Sequence, residues 1–310
     1  MQKHLFPLIF ALFFAGSAQA ASNYAGEFMR LGAGARALAL GSAYVALADD
    51  ATAGYWNAAG LVALGERQAH LMHAERFSGL VQHDYFAVAR PGRRLHGMAL
   101  SLARVGVDNI HYTELQDPGR PISADNRPLI ASTERSADYA VYLSGARRFG
   151  SRLALGLSAK TIYRQIAAST AYGFGVDVGA RYQLSPGIGL AANLRDVTTT
   201  PVIWNTDSTD RIQPSLLLGV GYARPFAGGH TTVVFGSHAG GDSSEATDYA
   251  PLNAGLEYRH RLITLRAGLE EGRQSLGLGI QPHANLNLDL AYLQHDELEP
   301  TYQFSADFHF

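Results

Sequence analysis

The chain has no cysteine. No disulfide can brace it, so an exported chain of this size has to rely on a large core or an extensive sheet. It also lacks a charge imbalance: 25 Lys and Arg stand against 27 Asp and Glu. That gives a nucleic-acid backbone little to hold. Beyond residue 20 no apolar run is long enough for a transmembrane helix. No Gly-rich phosphate loop, cofactor fingerprint or G-x-S-x-G elbow occurs. His70 and His73 form H-x-x-H, but on a strand positions i and i+3 face opposite ways and cannot share a metal. The residues therefore predict no cofactor, no metal and no enzymatic activity.

What is present begins with a leader. Residues Met1 to His4 are weakly basic, Leu5 to Ala15 are apolar, and Ala18 and Ala20 are the small residues of a cleavage site. An apolar core of about a dozen residues is too short to span a bilayer and fits a secretory signal over 1–20, with the mature chain starting at Ala21.

From Gln68 onward the pattern has period two. Tyr172, Phe174, Val176, Val178, Ala180, Tyr182 and Leu184 fall on one face of a strand, while Gly173, Gly175, Asp177, Gly179, Arg181 and Gln183 fall on the other. The same division recurs around 252–259, 263–270 and 285–292. It predicts fourteen strands, at 68–77, 80–90, 95–107, 136–149, 152–164, 171–184, 187–195, 212–224, 230–238, 249–260, 262–270, 274–281, 284–293 and 301–310. Alternation alone also fits a soluble sandwich. Three features favour a transmembrane barrel in a bacterial outer membrane. Turns after even-numbered strands are tight, whereas 108–135, 196–211 and 239–248 are long. Aromatics cluster at both strand ends, with Phe149, Tyr182, Phe226 and Tyr258 near the tight turns and Tyr163, Tyr172, Tyr292 and Tyr302 near the long loops. The final strand alternates through Tyr302, Phe304, Ala306 and Phe308 to Phe310, like the C-terminal assembly signal of such barrels. The expected partners are outer-membrane lipid and, through Tyr302, Phe308 and Phe310, the barrel assembly machinery. An even strand count puts the short turns and both termini on the periplasmic rim.

One stretch fits no strand. Residues 32–64 are rich in Ala and Gly, and a barrel of this size has a lumen that side chains alone do not fill. The expectation is an all-β, fourteen-stranded antiparallel barrel at 67–310 with a partly helical plug, 21–66, in its lumen. Small inward residues leave room for it, and Lys160, Asp177, Arg181, Arg195, Glu257, Arg259, Arg266, Glu270 and Asp289 line the same face. Within the plug, Ser42 to Leu47 reads as a short extended piece. Asp49 or Asp50 reads as the cap of a helix starting near Ala51, with a cation site as the alternative. Asn57 with Gly60 marks a tight turn. Asp49, Asp50, Tyr55, Trp56, Asn57, Ala58 and Gly60 are the expected gating residues. In loop 196–211, Val202, Ile203 and Trp204 are a candidate ligand or partner contact, with headgroup anchoring the other role for Trp204. Gly97 and Gly106 bracket a strand and mark either a lateral opening or packing against the plug.

Residues 34–37, 41–51 and 55–61 together resemble the N-terminal signature of the PorV/PorQ family, within the superfamily of FadL-type transporters. Ala58 stands where that signature has proline. The resemblance implies a hatch closing a fourteen-stranded barrel and two functions: a channel for hydrophobic or amphipathic small molecules, or a docking protein for secretion of proteins across the outer membrane. The corresponding partners are a hydrophobic ligand or a secreted protein.

Overall fold

The computed structural model describes residues 24–240, 251–295 and 298–310. The expected leader and loop residues 241–248 lie outside the described residues. The sheet is antiparallel throughout. Its first seven strands are β1 (Gln68–Arg76), β2 (Val81–Pro91), β3 (Gly97–Leu115), β4 (Pro128–Phe149), β5 (Leu153–Ile166), β6 (Ser169–Ser185) and β7 (Ile188–Arg195). A small hairpin follows, β8 (Thr200–Trp204) and β9 (Thr209–Ile212). The last seven are β10 (Ser215–Phe226), β11 (Gly229–Gly240), β12 (Leu252–His260), β13 (Ile263–Glu270), β14 (Arg273–His283), β15 (Leu286–Leu293) and β16 (Thr301–His309). β1 pairs with β16 from Gln68–His309 to Glu75–Tyr302, which closes the sheet on itself. β8 and β9 ride on the upper part of β6, so the closed circuit has fourteen strands, β1–β7 and β10–β16.

Two long loops carry more structure than alternation predicts. β3 and β4 continue as a ribbon, pairing Ile110 with Glu134 and Leu115 with Pro128. Segment 196–211 contains the β8–β9 hairpin.

The barrel is apolar outside. Leu143, Phe174 and Leu265 are 65%, 59% and 56% exposed, whereas their neighbours on the opposite face, Ser144, Asp177 and Arg266, are buried. A soluble sandwich would have the reverse arrangement. Among the described residues no helix is long and apolar enough to cross a membrane.

Residues 25–64 lie inside the barrel and are almost wholly buried. They form a 3-10 turn (Tyr24–Arg30), two one-turn helices, α1 (Ala35–Leu38) and α2 (Ala53–Trp56), and a second 3-10 turn (Ala58–Ala63). The segment runs the length of the lumen. Ala25 meets Arg164 and the first turn contacts β9 near the long-loop rim, while Arg67 pairs with Phe310 at the short-turn rim. Tyr24, the first described residue, thus lies at the opposite end of the lumen from Phe310, and the expected mature N-terminus at Ala21 lies outside the described residues. The piece Ser42 to Leu47 is a succession of turns, not an extended stretch, and α2 begins at Ala53 rather than Ala51.

Candidate functional site

The inner segment sits against the wall through missing side chains. On the inward face of the strands, a Cβ at Gly97 would overlap the Leu61 carbonyl, one at Gly156 the Ala58–Ala59 backbone, one at Gly179 the Asn57 amide and one at Gly268 the Gly41 amide. At Gly97, Gly156 and Gly268 the segment's backbone, and at Gly179 the Asn57 side chain, approaches within a distance that only glycine allows. The alanines of the segment complete the fit, since Ala33, Ala35, Ala39, Ala51, Ala53 and Ala59 are all fully buried.

Close packing against a sheet leaves the segment's own carbonyls without helical partners, and wall side chains supply donors. Asn193 donates to the Trp56 carbonyl at 2.9 Å. Ser144 and Ser158 donate to the Gly54 carbonyl at 3.2 and 3.1 Å. Arg195 reaches the Tyr55 carbonyl at 3.3 Å and lies over the Tyr55 ring at 4.7 Å. Tyr55 and Trp56 also tie the segment to itself. The Tyr55 hydroxyl donates to the Met29 carbonyl and accepts the Gly32 N–H, and Trp56 Nε1 donates to the Ala33 carbonyl at 2.7 Å.

Asn57 is the turning point. Its side chain accepts the Ala59 N–H at 3.1 Å, capping the second 3-10 turn, and its amide donates to the Val45 carbonyl at 3.3 Å and the Ala180 carbonyl at 3.2 Å. Ala58 is the first residue of that turn, and Asn57 before it is extended at φ −166°, ψ 102°. The bend is thus made by the asparagine cap, without help from a proline at 58.

Charge joins the segment to the far wall. Arg36 is the single ionised residue between Gly32 and Ala48. Its guanidinium meets Asp49 at 2.8 Å and Glu257 on β12 at 2.9 and 3.1 Å. Glu257 continues to Arg266 at 2.8 Å, and Arg266 to Asp289 at 2.7 Å. Asp50 accepts from the Thr52 N–H and hydroxyl at 2.8 and 2.5 Å and from the Tyr44 hydroxyl at 2.5 Å, so it caps the turn leading into α2. Burial works to raise the Asp50 pKa, but Arg36, His70 and the Thr52 and Tyr44 hydrogen bonds outweigh it and hold it below the ordinary carboxylate value. Among the described residues no cluster of His, Cys, Asp or Glu has the geometry to hold a metal. His70 turns inward to Asp307 and His73 outward to Asp84.

On the long-loop side of the segment lies a cavity of about 360 Å³. Its lining mixes Met29, Trp56 and Leu217 with Lys160, Arg195 and Glu270. Ile212, at the end of the β8–β9 hairpin, also lines it. Within the hairpin Val202 is buried and Ile203 points outward. Trp204 turns inward, donates to Asp210 at 2.7 Å and lies 5.8 Å from the Arg164 guanidinium, which Asp138 holds at 2.8 Å and Phe28 covers at 5.6 Å. Trp204 therefore packs over the inner segment's first turn. β3 is paired on both sides from 97 to 106, with Gly97 under Leu61 and Gly106 beside the Arg104 guanidinium. Tyr302 lies outside against Tyr292 at 5.6 Å, and Phe308 and Phe310 are exposed near the closing seam.

The geometry has counterparts among solved structures. The toluene transporter TbuX of Ralstonia pickettii aligns with a TM-score of 0.61 at 12% identity, over 90% of this chain and 98% of that one. The toluene transporter TodX of Pseudomonas putida aligns at 0.52 with 11% identity, over 89% and 96%. A FadL homologue of Pseudomonas aeruginosa aligns at 0.50 with 11% identity, over 87% and 96%.

The fold is FadL-like.

At these identities the likeness is one of architecture. No protein-family model and no curated relative matches the chain by sequence. The PorV/PorQ kinship suggested by residues 34–61 thus finds no support, and the FadL-like fold is the coarser part of that resemblance that stands. Sequence reading missed Arg36, Asn193, Ser144 and Ser158 as seat residues. Arg36 carried a signal, a lone charge in an Ala/Gly/Leu run. The other three become recognisable only once strand register sets them beside the segment.

Proposed function

We propose that the chain is a bacterial outer-membrane channel protein for apolar or amphipathic small molecules, with 1–20 a leader, 21–66 a plug and 67–310 the membrane barrel. The observation that carries this reading is the inverted barrel: apolar side chains outside, polar ones and a closely seated segment inside. An outward apolar face is favourable in lipid and costly in water. A lumen filled by such a segment cannot be an open water-filled pore, so passage requires the segment to shift.

The cavity beside Trp56 and Arg195 is the proposed binding site, and of Val202, Ile203 and Trp204 the inward-turned Trp204 is the one proposed to meet an entering molecule. TbuX and TodX are described as toluene transporters. The mixed lining here favours a molecule with an apolar body and a polar end. Asp49, Asp50, Tyr55, Trp56, Asn57, Ala58 and Gly60 act as the gate because they hold the segment in place. The barrel's neighbours are lipid and, during assembly, the machinery that reads the strand ending in Tyr302, Phe308 and Phe310. The test is conductance in planar bilayers. Deleting 32–64 is expected to convert a closed barrel into an open one. A folded deletion variant with unchanged conductance would defeat the proposal.

A further inference from the structure

The short-turn rim of the barrel is strongly basic. Arg93, Arg94, Arg152 and Arg261 are exposed in the turns, and Arg148 and Arg259 beside them. Arg67, Arg90, Arg147 and Arg224 are exposed on the outward face, as the last ionised residues below its apolar rows. Above Arg90 on that face stand Val88 and Phe86, above Arg147 stand Leu143 and Val141, and above Arg224 stand Tyr222 and Val220. Among the described residues, Glu66 is the single exposed acidic side chain at this rim, and it is occupied by His309 at 3.0 Å. Arg259, 3.8 Å from Glu257, is the one of these arginines with a carboxylate in ion-pair range.

Unpaired arginines of one sign placed around the circumference repel one another unless anions lie between them. Their positions decide which anion. A protein partner would be met by a patch on one side, whereas these residues recur at four of the six tight turns and at the start of β1. The four outward arginines lie where an apolar wall ends, which for a spanning barrel is the headgroup layer. Arginine holds phosphate oxygens through two parallel N–H donors. We infer that the short-turn rim is a collar for anionic phospholipid headgroups, which recruits acidic glycerophospholipid to the leaflet in contact with it and fixes the depth of the barrel in that leaflet.

This inference rests on the reading of the chain as a membrane barrel, and the experiment separates the two. The full-length chain and a variant carrying Arg67→Gln, Arg90→Gln, Arg147→Gln and Arg224→Gln are folded into vesicles of phosphatidylcholine alone or with phosphatidylglycerol. Insertion is scored by protease protection. Retained lipids are counted by native mass spectrometry after gentle release into detergent. The collar predicts that the native chain keeps phosphatidylglycerol over phosphatidylcholine by roughly tenfold and that the variant loses most of this preference. Insertion without lipid preference, or a preference the variant retains, overturns the collar and leaves the barrel reading intact. Failure to insert in either vesicle overturns both. A rim that binds soluble polyglutamate more tightly than phosphatidylglycerol vesicles also overturns the lipid assignment.

Discussion

At the scale of single residues, the inner segment is held by what the wall omits. An alanine at Gly156 would force its Cβ into the Ala58–Ala59 backbone. Overpacking of this kind costs about 1–3 kcal/mol, and lifting the segment relieves it. Gly156→Ala is expected to expose 32–64 to protease in the folded barrel. Gly189→Ala, where nothing lies within 4 Å of an added Cβ, is expected to leave it protected. Equal protection in both variants would show that the seat tolerates crowding. Arg36 is the opposite case, a residue that holds the segment by what it adds. Removing it leaves Glu257, whose side chain is 4% exposed, with Arg266 as its remaining close partner, and takes from Asp49 and Asp50 the cation they share. Arg36→Met is expected to cost about 3–5 kcal/mol in urea unfolding. Adding Glu257→Gln is expected to recover part of the loss, and a strictly additive double variant would deny the coupling. The depressed Asp50 pKa makes its stabilisation complete above the ordinary carboxylate value, near about pH 4, and lost as the pH falls below it. The segment should therefore loosen in acid, read as rising protease sensitivity, and Asp50→Asn should flatten that dependence.

At the scale of elements, legibility followed solvent asymmetry. All fourteen barrel strands could be read within a few residues because each has one apolar and one polar face. The extensions 108–115 and 128–135 could not. There the β3–β4 ribbon stands clear of the barrel and both its faces are largely exposed, so no alternation is imposed on the sequence. The inner segment was readable as something unlike a strand, but not its path. Turns, two one-turn helices and two 3-10 turns leave no period to follow, and their positions are dictated by glycines more than 30 residues away in the chain. Asn57 and Ala58 bear this out. The bend needs an extended residue followed by the first residue of a 3-10 turn, a geometry that suits proline at 58 as well as alanine. Ala58→Pro is expected to change stability by less than about 1 kcal/mol and to leave conductance unchanged. A marked loss of folding yield would show that the backbone there is more constrained than its dihedrals indicate.

At the scale of the whole molecule, a closed circuit of hydrogen bonds has no edge at which to fray. The folded chain is expected to run faster than the boiled chain on cold detergent gels, and identical migration would count against closure. Direction of charge is a second global property. The seat network and the cavity lie within the lumen, the short-turn rim carries exposed arginines with Glu66 as its single exposed acid among the described residues, and the long-loop side exposes both signs, so the molecule is electrically as well as structurally two-ended.

The inner segment runs from one mouth of the lumen to the other inside a ring completed by β1 and β16. A chain of buried alanines and aromatics cannot be threaded through a ring already shut around that space. Assembly must therefore lay the wall around its own first residues, with the seam from Gln68–His309 to Glu75–Tyr302 formed last. The stretch that fills the finished lumen would then serve earlier as the form around which the staves are raised.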